Sequence, residues 1–324
     1  MLDRCKQFKK MTKRLPTEFA INMNLDKMMI LQQSELKHVN DFNYFDEHSP
    51  CHLYFICKRP RLSIDPKKYE VTKEFISLTF KVQRQDEFEE KEYKFANTFK
   101  RDDIELVSEY PFNIFKLVTK DETLVDAKVA PFLQSLISEK YLDLEVLYIG
   151  QSYGVEGART APDRLKSHST LQGIYAEAIS NNPDSEIYLA LASFAQINIM
   201  MMDGRTKFTE EELKADTERR DNVNNRLNWE GINEQQKINF TEAALIKYFQ
   251  PSYNKIYKDS FPNPAHSTYS ECYELDINAV CIEMQTYEMI NCCMYSESVK
   301  SAPWHMERFL LNSEEDRKSM FEII

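Results

Sequence analysis

The chain has 324 residues, a net charge of −11 and a hydrophobic content of 42%, which predicts a folded, soluble protein long enough for about two domains. No run approaches the roughly 18 consecutive apolar residues of a membrane helix, so no membrane partner is expected. The seven irregularly spaced cysteines favour a reducing, cytoplasmic location. Six glycines exclude a glycine-rich phosphate loop. The negative charge disfavours a protein that coats nucleic acid, but it is compatible with a local basic site.

The N-terminal region, residues 1–105, combines a basic tail with β-rich sequence. Residues 15–39 have a mixed pattern that predicts a helix. From Leu53 onward, apolar residues recur with a period of two, which predicts strands. A further strand is expected at residues 112–118, and helical spacing of apolar residues predicts a helix over 124–142.

The apolar run at residues 144–152 predicts a short strand that is buried on both faces and ends where Gly150 permits a turn. Tyr148 stands near its end. A phenol there needs water or a hydrogen-bond partner for its hydroxyl group, so it indicates a cleft. An ordinary core tyrosine is the alternative.

Beyond Gly150 the pattern predicts a helix to about residue 180, with Arg164 and His168 one turn apart on the face that carries the apolar stripe. A long buried strand is predicted over 187–202. The polar segment that follows looks like an insertion and begins with a capping box, Thr209 with Glu212.

A later helix is predicted to begin at Thr241 as its N-cap and to end before Pro251. Glu242 falls on the apolar face of this helix. An ionised carboxylate at a buried position needs a cation or a metal ion. The alternative is an ordinary first-turn glutamate that the helix dipole stabilises.

The C-terminal region, residues 263–324, returns to a period of two near Tyr269 and predicts two or three strands through Tyr295. Residues 304–311 and 313–324 are predicted to be helices. The apolar end suggests docking onto a neighbouring domain, a partner protein or a second subunit.

The order of these residues resembles that of the GIY-YIG nuclease family. Tyr148-Ile149-Gly150-Gln151-Ser152 resembles the second motif of the family and Arg164-Leu165-Lys166-Ser167-His168 its arginine helix. Glu242 and Asn254 match its metal-site helix and closing asparagine. The sequence departs from the family at the first motif, where the expected strand puts Phe115 at the position of the first tyrosine.

The resemblance implies an α+β fold, in which a small three-stranded sheet with helices is flanked by β-rich N-terminal and C-terminal regions. The nuclease-like domain would span residues 106–262, with insertions at about 120–142 and 205–238. Residues 1–105 and 263–324 would form the flanking regions.

The resemblance also implies a divalent-metal-dependent endonuclease that hydrolyses phosphodiester bonds in DNA. Glu242 would hold Mg²⁺ or Mn²⁺ together with waters and phosphate oxygens. Arg164 would stabilise charge on the phosphate, and Tyr148 would orient the attacking water. The implied substrate-binding residues are Gly150, Gln151, Ser152, Lys166 and Asn254.

The general base is open, because phenylalanine at position 115 cannot accept a proton. His168 is the best replacement, since its unperturbed pKa of about 6.5 suits proton transfer near neutrality. Tyr148, Lys116 and Tyr110 are alternatives.

Three functional readings follow from these patterns. The first is an active endonuclease, for which defence against foreign DNA is one of the family's settings. The second is a catalytically inactive module of the same type that binds nucleic acid or a partner protein, which the net charge favours slightly. The third is a structural subunit whose match to the motifs is accidental.

Overall fold

The computed structural model describes residues 14–153, 169–313 and 320. It has an α+β fold, as predicted, built on a curled seven-stranded mixed sheet with two three-stranded antiparallel sheets. In spatial order the strands of the large sheet are β12 (Met294–Tyr295), β9 (Leu144–Gln151), β2 (Leu53–Pro60), β10 (Ser185–Met202), β1 (Thr17–Leu31), β11 (Ala279–Met284) and β13 (His305–Leu310).

The two smaller sheets both lie between β2 and β9 in the chain. The first contains β3 (Leu62–Val71), β4 (Phe75–Arg84) and β5 (Glu87–Ala96), and the second β6 (Glu105–Val107), β7 (Ile114–Val118) and β8 (Thr123–Lys128). The α-helices are α1 (Val129–Leu136), α2 (Ser169–Asn181), α3 (Glu210–Asn225), α4 (Glu234–Phe249), α5 (Ser270–Glu274) and α6 (Thr286–Ile290). Short 3₁₀ segments occupy Gln33–Phe42, Lys140–Leu142 and Ser267–Tyr269.

Strands from all three regions predicted from the sequence join the large sheet. β1 and β2 come from the N-terminal region, β9 and β10 from the middle, and β11 to β13 from the C-terminal region. The central strands β2, β10 and β1 are antiparallel, whereas β11 is parallel to β1 and β12 is parallel to β9. The three regions are therefore joined through one sheet.

The large sheet separates two hydrophobic clusters. Phe55 of β2 and Ile149 of β9 point to one face, where helix α4 packs; the rings of Phe55 and Phe249 meet edge to face at 6.3 Å. Tyr54 and Ile56 point to the opposite face and pack with the apolar side chains of helix α2. Successive side chains along a strand point to opposite faces of the sheet, so neighbouring residues of β2 belong to different clusters.

The helix predicted over residues 15–39 is wrong for most of its length, because β1 occupies Thr17–Leu31. This strand pairs with β10 on one side and β11 on the other. The local sequence pattern does not reveal this strand. β1 lies between two neighbouring strands, and its first half is buried on both faces, so its apolar and polar residues do not alternate cleanly.

The helix predicted over residues 124–142 is also wrong in its first part. Residues Thr123–Lys128 form β8, paired with β7, and only Val129–Leu136 are helical. Pro131 is the third residue of α1. At that position its missing N–H removes no intrahelical bond, so no kink is required.

The C-terminal predictions are confirmed in part, because two strands, β11 and β12, lie before or at Tyr295. Residues Ser270–Glu274, expected to begin a strand, form the short helix α5, whereas residues 304–311, expected to be helical, contain strand β13. β13 pairs with β11 and completes the edge of the large sheet. In residues 304–311, pairing with a strand that is distant in sequence overrides the local preference for a helix. Most of the helix predicted over 313–324 lies outside the described residues.

Two predictions in the middle of the chain are confirmed. The strand expected at residues 187–202 is β10, Ser185–Met202, which is buried from Ile187 to Ser193. The capping box is present at the start of α3, where Thr209 accepts a hydrogen bond from the backbone of Glu212 at 3.2 Å and Glu212 accepts one in return at 3.0 Å.

Candidate active site

Along most of its length β9 pairs with β2, and not with the strand that carries Phe115. Leu53 to Lys58 run antiparallel to Gln151 to Glu145. Phe115 lies on β7 in the second small sheet, fully buried against Phe132 and Phe80. Phe115, which the resemblance assigns to the first-tyrosine position, therefore does not lie on a strand next to Tyr148. The pairing partner lies about ninety residues before β9 in the chain.

Tyr54, on β2, is the tyrosine that lies beside Tyr148 across the strand pair. It lies directly across from Gly150, and its ring is 6.1 Å from that of Tyr148. A Cβ atom added to Gly150 would lie 2.5 Å from Oη of Tyr54 and 2.8 Å from Cε1 of Tyr148. Only glycine allows both rings to approach the strand this closely. Two tyrosines therefore flank Gly150 on one face of the sheet.

Asn254 completes the outer edge of β9. Strand β12 pairs with β9 only at Leu144 and Glu145. Beyond them, the Asn254 side chain accepts a hydrogen bond from the Ile149 N–H and donates one to the Ile149 carbonyl oxygen, both at 2.8 Å. The N–H of Tyr253 donates to the Leu147 carbonyl oxygen at 3.0 Å. Asn254 is 8% exposed, so it supports the strand from a buried position; its predicted role in substrate binding stays a prediction.

Helix α4, which carries Glu242, begins earlier than predicted. Its N-cap is Asn233, whose side chain accepts a hydrogen bond from the Gln235 N–H at 2.9 Å. Thr241, predicted as the cap, is buried inside the helix and donates to the Lys237 carbonyl oxygen at 2.6 Å. Glu242 is thus a mid-helix residue, and stabilisation by the first-turn dipole does not explain it.

Glu242 is half-buried, one helical turn after Asn239. The Asn239 side chain accepts a hydrogen bond from Gln151 at 3.1 Å and donates to the Thr268 carbonyl oxygen at 3.0 Å. Burial raises the pKa of Tyr257, and the negative charge of Glu242 adds to the rise. Glu242 therefore lies near Gln151, at the end of β9, and near the loop that carries Tyr257.

Tyr148 and the packed side of α4 lie on opposite faces of the large sheet. Tyr148 packs with Tyr54 and with the cluster that includes α2, whereas α4 packs against Phe55 on the other face. Gln151, at the end of β9, contacts α4 through its hydrogen bond to Asn239. Any single site that uses both Tyr148 and Glu242 must therefore extend around the end of β9.

His52 and Ser152 lock the turn at the end of β9. The N–H of Ser152 donates to the His52 carbonyl oxygen at 2.8 Å, and Nδ1 of His52 lies 2.7 Å from the Ser152 carbonyl oxygen. Both residues are buried. A cleft of about 470 Å³ opens beside His52, between strand β10 and the first turns of α4, and Lys237 and Thr241 line its wall.

Three of the predicted residues, Arg164, Lys166 and His168, lie outside the described residues. Two of the alternative bases lie away from β9. Lys116 is on β7 in the second small sheet, with its ammonium group 2.8 Å from Asp126, and Tyr110 is 87% exposed in the loop before that strand. Neither belongs to the large sheet that holds Tyr148.

No group of three or more histidine, cysteine, aspartate or glutamate side chains that could hold a metal ion is present in residues 14–153 and 169–313. A site with a single carboxylate, as predicted for Glu242, does not need such a group. Waters and phosphate oxygens would have to supply the other ligands of Mg²⁺. The half-buried position of Glu242 fits such a site.

Sequence reasoning missed Tyr54, Asn239 and His52. The available signal was Leu53-Tyr54-Phe55-Ile56, a tyrosine between aliphatic residues in a predicted strand. This signal does not identify the partner of β9, because about eighty residues, which form two further sheets, separate β2 from β9.

Comparisons with protein-family models, with characterised protein sequences and with solved structures gave no significant match. Among the described helices, none is both long enough and apolar enough to cross a membrane.

Proposed function

We propose that the chain is a divalent-metal-dependent endonuclease of the GIY-YIG type that hydrolyses phosphodiester bonds in DNA. The observation that carries the proposal is the pair Tyr54 and Tyr148, set on antiparallel strands and meeting over Gly150. The resemblance lacks a first tyrosine if Phe115 stands at that position. Tyr54 supplies the missing hydroxyl group, preceded by the aliphatic Leu53 and followed two residues later by Ile56.

In this proposal Tyr54 or His168 acts as the general base, and Tyr148 orients the attacking water. Glu242 holds Mg²⁺ or Mn²⁺, which polarises the scissile phosphate. Arg164 stabilises the negative charge that builds on the phosphate oxygens. The cleft beside His52, with Lys237 on its wall, is proposed to receive the DNA beside helix α4, the helix that carries Glu242.

An inactive module that binds nucleic acid or a partner protein is the second candidate. The burial of Tyr54, which is 0% exposed, and the net charge of −11 favour it. Binding through the C-terminal region, or assembly with a second copy, belongs to this candidate. The two candidates differ in one measurable property, which is cleavage of DNA.

The decisive experiment incubates the purified chain with supercoiled plasmid, single-stranded DNA and RNA in the presence of Mg²⁺ or Mn²⁺. We expect nicking or cutting of DNA that EDTA stops and that Glu242→Gln and Arg164→Ala remove. Glu87→Gln is the control, because Glu87 is exposed on strand β5 of the first small sheet. Intact DNA with every metal, over a range of pH, would reject the nuclease and leave the binding module.

We also propose a cytoplasmic location. The six cysteines among the described residues are free, and five of these are buried, as expected for a protein kept in a reducing compartment. A role in defence against foreign DNA is the biological setting proposed for the activity. Protection of host cells against incoming plasmid or phage DNA, lost in Glu242→Gln, is the measurement that tests it.

A further inference from the structure

A cleft of about 610 Å³ lies between the first small sheet and the loop that precedes β7. Its volume is within the range of small-molecule sites. Its walls come from β3, β4 and β5, from the loop at residues 110–113 and from the start of β10. The candidate active site is built on β9 and helix α4, so this cleft is a different site, and what it binds does not depend on DNA cleavage.

Two aromatic rings are exposed at this cleft. Tyr110 is 87% exposed and Phe88 is 55% exposed, and both line the cleft. The ring of Phe112 contacts that of Tyr110 edge to face at 6.1 Å, and the Ile64 N–H donates to the Phe112 carbonyl oxygen at 2.8 Å, which holds the loop against β3. A single exposed ring is ordinary, but two that line one cleft form a surface on which a flat ligand can stack.

Arg61, just before β3, brings a cation to the same cleft. Its N–H donates to the Asp184 carbonyl oxygen at 2.7 Å, and its carbonyl oxygen accepts from the Gln83 N–H at 3.0 Å, so its backbone is held from two sides. The side chain is half-buried and lines the cleft. Among the described residues no hydrogen bond or ion pair occupies the guanidinium group. It is therefore a positioned cation that a ligand in the cleft can contact.

Arg61 and Phe88 lie in one row across the small sheet. Gln83 of β4 lies between them, since it bonds to Arg61 on one side and pairs with Phe88 on the other. Residues directly opposite each other on neighbouring strands point to the same face of a sheet. Neighbouring strands are about 4.8 Å apart, so the backbones of Arg61 and Phe88 are roughly 10 Å apart. A base on the ring and its phosphate on the arginine can span this separation.

The charged groups of the cleft have a positive surplus. Three cations and two carboxylates line it: Arg61, Lys67, Lys81, Asp65 and Glu186. Lys81 and Asp65 pair at 2.8 Å, and Glu186 accepts a hydrogen bond from the Tyr188 hydroxyl group at 3.0 Å. Lys67 is exposed and forms no ion pair among the described residues. In a chain with a net charge of −11, a local surplus of positive charge indicates an anionic ligand.

We propose that this cleft binds a nucleotide, either as a free molecule or as an unpaired position in a nucleic-acid strand. The base stacks on the ring of Tyr110 or Phe88, since every base has a flat π face. Arg61 binds the phosphate, because its planar fork donates parallel hydrogen bonds to two oxygen atoms. Inorganic phosphate would leave the two rings without a partner, and an apolar peptide would leave Arg61 and Lys67 without one. A base joined to a phosphate uses both.

The test is binding of adenosine monophosphate, of a short single-stranded oligodeoxyadenylate and of its duplex with oligodeoxythymidylate to the full-length protein. Calorimetry and fluorescence anisotropy measure the affinities, in EDTA so that no metal-dependent cleavage takes place. We expect the mononucleotide, the single strand or both to bind. Tyr110→Ala or Phe88→Ala should weaken binding by about fivefold or more, because a stacked ring is lost. Arg61→Gln should weaken it by about tenfold, because charged hydrogen bonds are lost.

Two variants elsewhere on the surface are the controls and should bind as the wild type does. Trp229→Ala removes a ring that is 85% exposed, and Arg205→Gln removes an exposed cation. Both ring variants of the cleft are at exposed positions, so they keep the test valid if Arg61→Gln does not fold.

Binding of the mononucleotide alone identifies a free nucleotide as the ligand, and binding of the single strand alone identifies a position within a strand. The proposal is overturned if neither probe binds, or if the duplex binds as tightly as the single strand. It is also overturned if Tyr110→Ala and Phe88→Ala both bind like Trp229→Ala, or if folded Arg61→Gln binds like Arg205→Gln.

Discussion

The side-chain amide of Asn254 makes with Ile149 both hydrogen bonds that a neighbouring strand would otherwise make. The edge of β9 that carries Tyr148 and Gly150 is thereby held by a side chain from the loop after helix α4. This contact links the helix of Glu242 to the strand of Tyr148, although the two elements are about a hundred residues apart in sequence. Its contribution to stability can be measured directly.

Asn254→Ala should lower the free energy of unfolding by about 2–4 kcal/mol, because it leaves the buried N–H and carbonyl groups of Ile149 unpaired. Denaturant unfolding measures the change. Asn263→Ala, which removes one exposed hydrogen bond to the Ala265 N–H, should cost less than about 1 kcal/mol. Equal losses in the two variants would show that the Asn254 contact adds nothing beyond an ordinary loop bond.

Gly150→Ala should destabilise the protein by about 1–3 kcal/mol, because the new methyl group overlaps the ring of Tyr54. Gly173→Ala is the matched substitution, since a Cβ atom at that exposed position of helix α2 meets nothing within 4 Å. Alanine should raise stability there by about 0.5–1 kcal/mol through its better helix propensity. Thermal unfolding of the two variants should therefore shift in opposite directions.

Phe115→Tyr tests the correction of the first motif. Phe115 is 0% exposed, with its ring 5.0 Å from that of Phe132. A hydroxyl group buried there without a partner should cost about 1–3 kcal/mol of stability and should not raise DNA cleavage. Phe88→Tyr, at a position that is 55% exposed, should leave stability unchanged. A gain in DNA cleavage from Phe115→Tyr would show that Phe115, and not Tyr54, stands at the position of the first tyrosine.

Tyr54→Phe and Tyr148→Phe each test the proposed tyrosine pair. If the two hydroxyl groups handle the attacking water, either variant should lower the rate of DNA cleavage by about 100-fold while circular dichroism and unfolding remain close to those of the wild type. Tyr69→Phe, on strand β3 and 39% exposed, is the control. Full activity in both variants would contradict the roles proposed for Tyr54 and Tyr148.

His305 should make stability depend on pH. It is 1% exposed, with Nε2 3.0 Å from the Met294 carbonyl oxygen and Nδ1 3.0 Å from the Tyr248 hydroxyl group. Burial lowers the pKa of His305 below its ordinary value of about 6.5. The unfolded chain therefore takes up the proton first, so stability is lost as pH falls from about 6.5 toward the lowered pKa.

Unfolding measured between pH 5 and pH 8 in wild type and in His305→Gln gives this contribution as the difference between the two curves. The glutamine variant should show the flatter dependence below about pH 6.5. His38→Gln is the control, because the His38 side chain is 55% exposed. The interpretation fails if His305→Gln and the wild type lose stability in parallel as the pH is lowered.

The sequence by itself determined the features that depend on neighbouring residues. These include strand β9, the long strand β10, the capping box of Thr209 and the presence, but not the start, of the helix that carries Glu242. In each case a local pattern of apolar residues or a cap has one favoured conformation. The turn predicted at Gly150 is wrong, because Gly150 lies within β9 and pairs with Tyr54. The importance of Asn254 was also visible, although its contact with Ile149 was not.

Only the tertiary structure decided which strand lies beside β9. β2 and β7 have equally good strand patterns, and hydrogen bonding between backbones carries no local signature of its partner. The pairing of β2 with β9 brings Tyr54 to Gly150, and the pairing of β1 with β10 and β11 turns a predicted helix into a strand. Non-local pairing is decided by the burial of whole faces of the sheet, which no short stretch of sequence records.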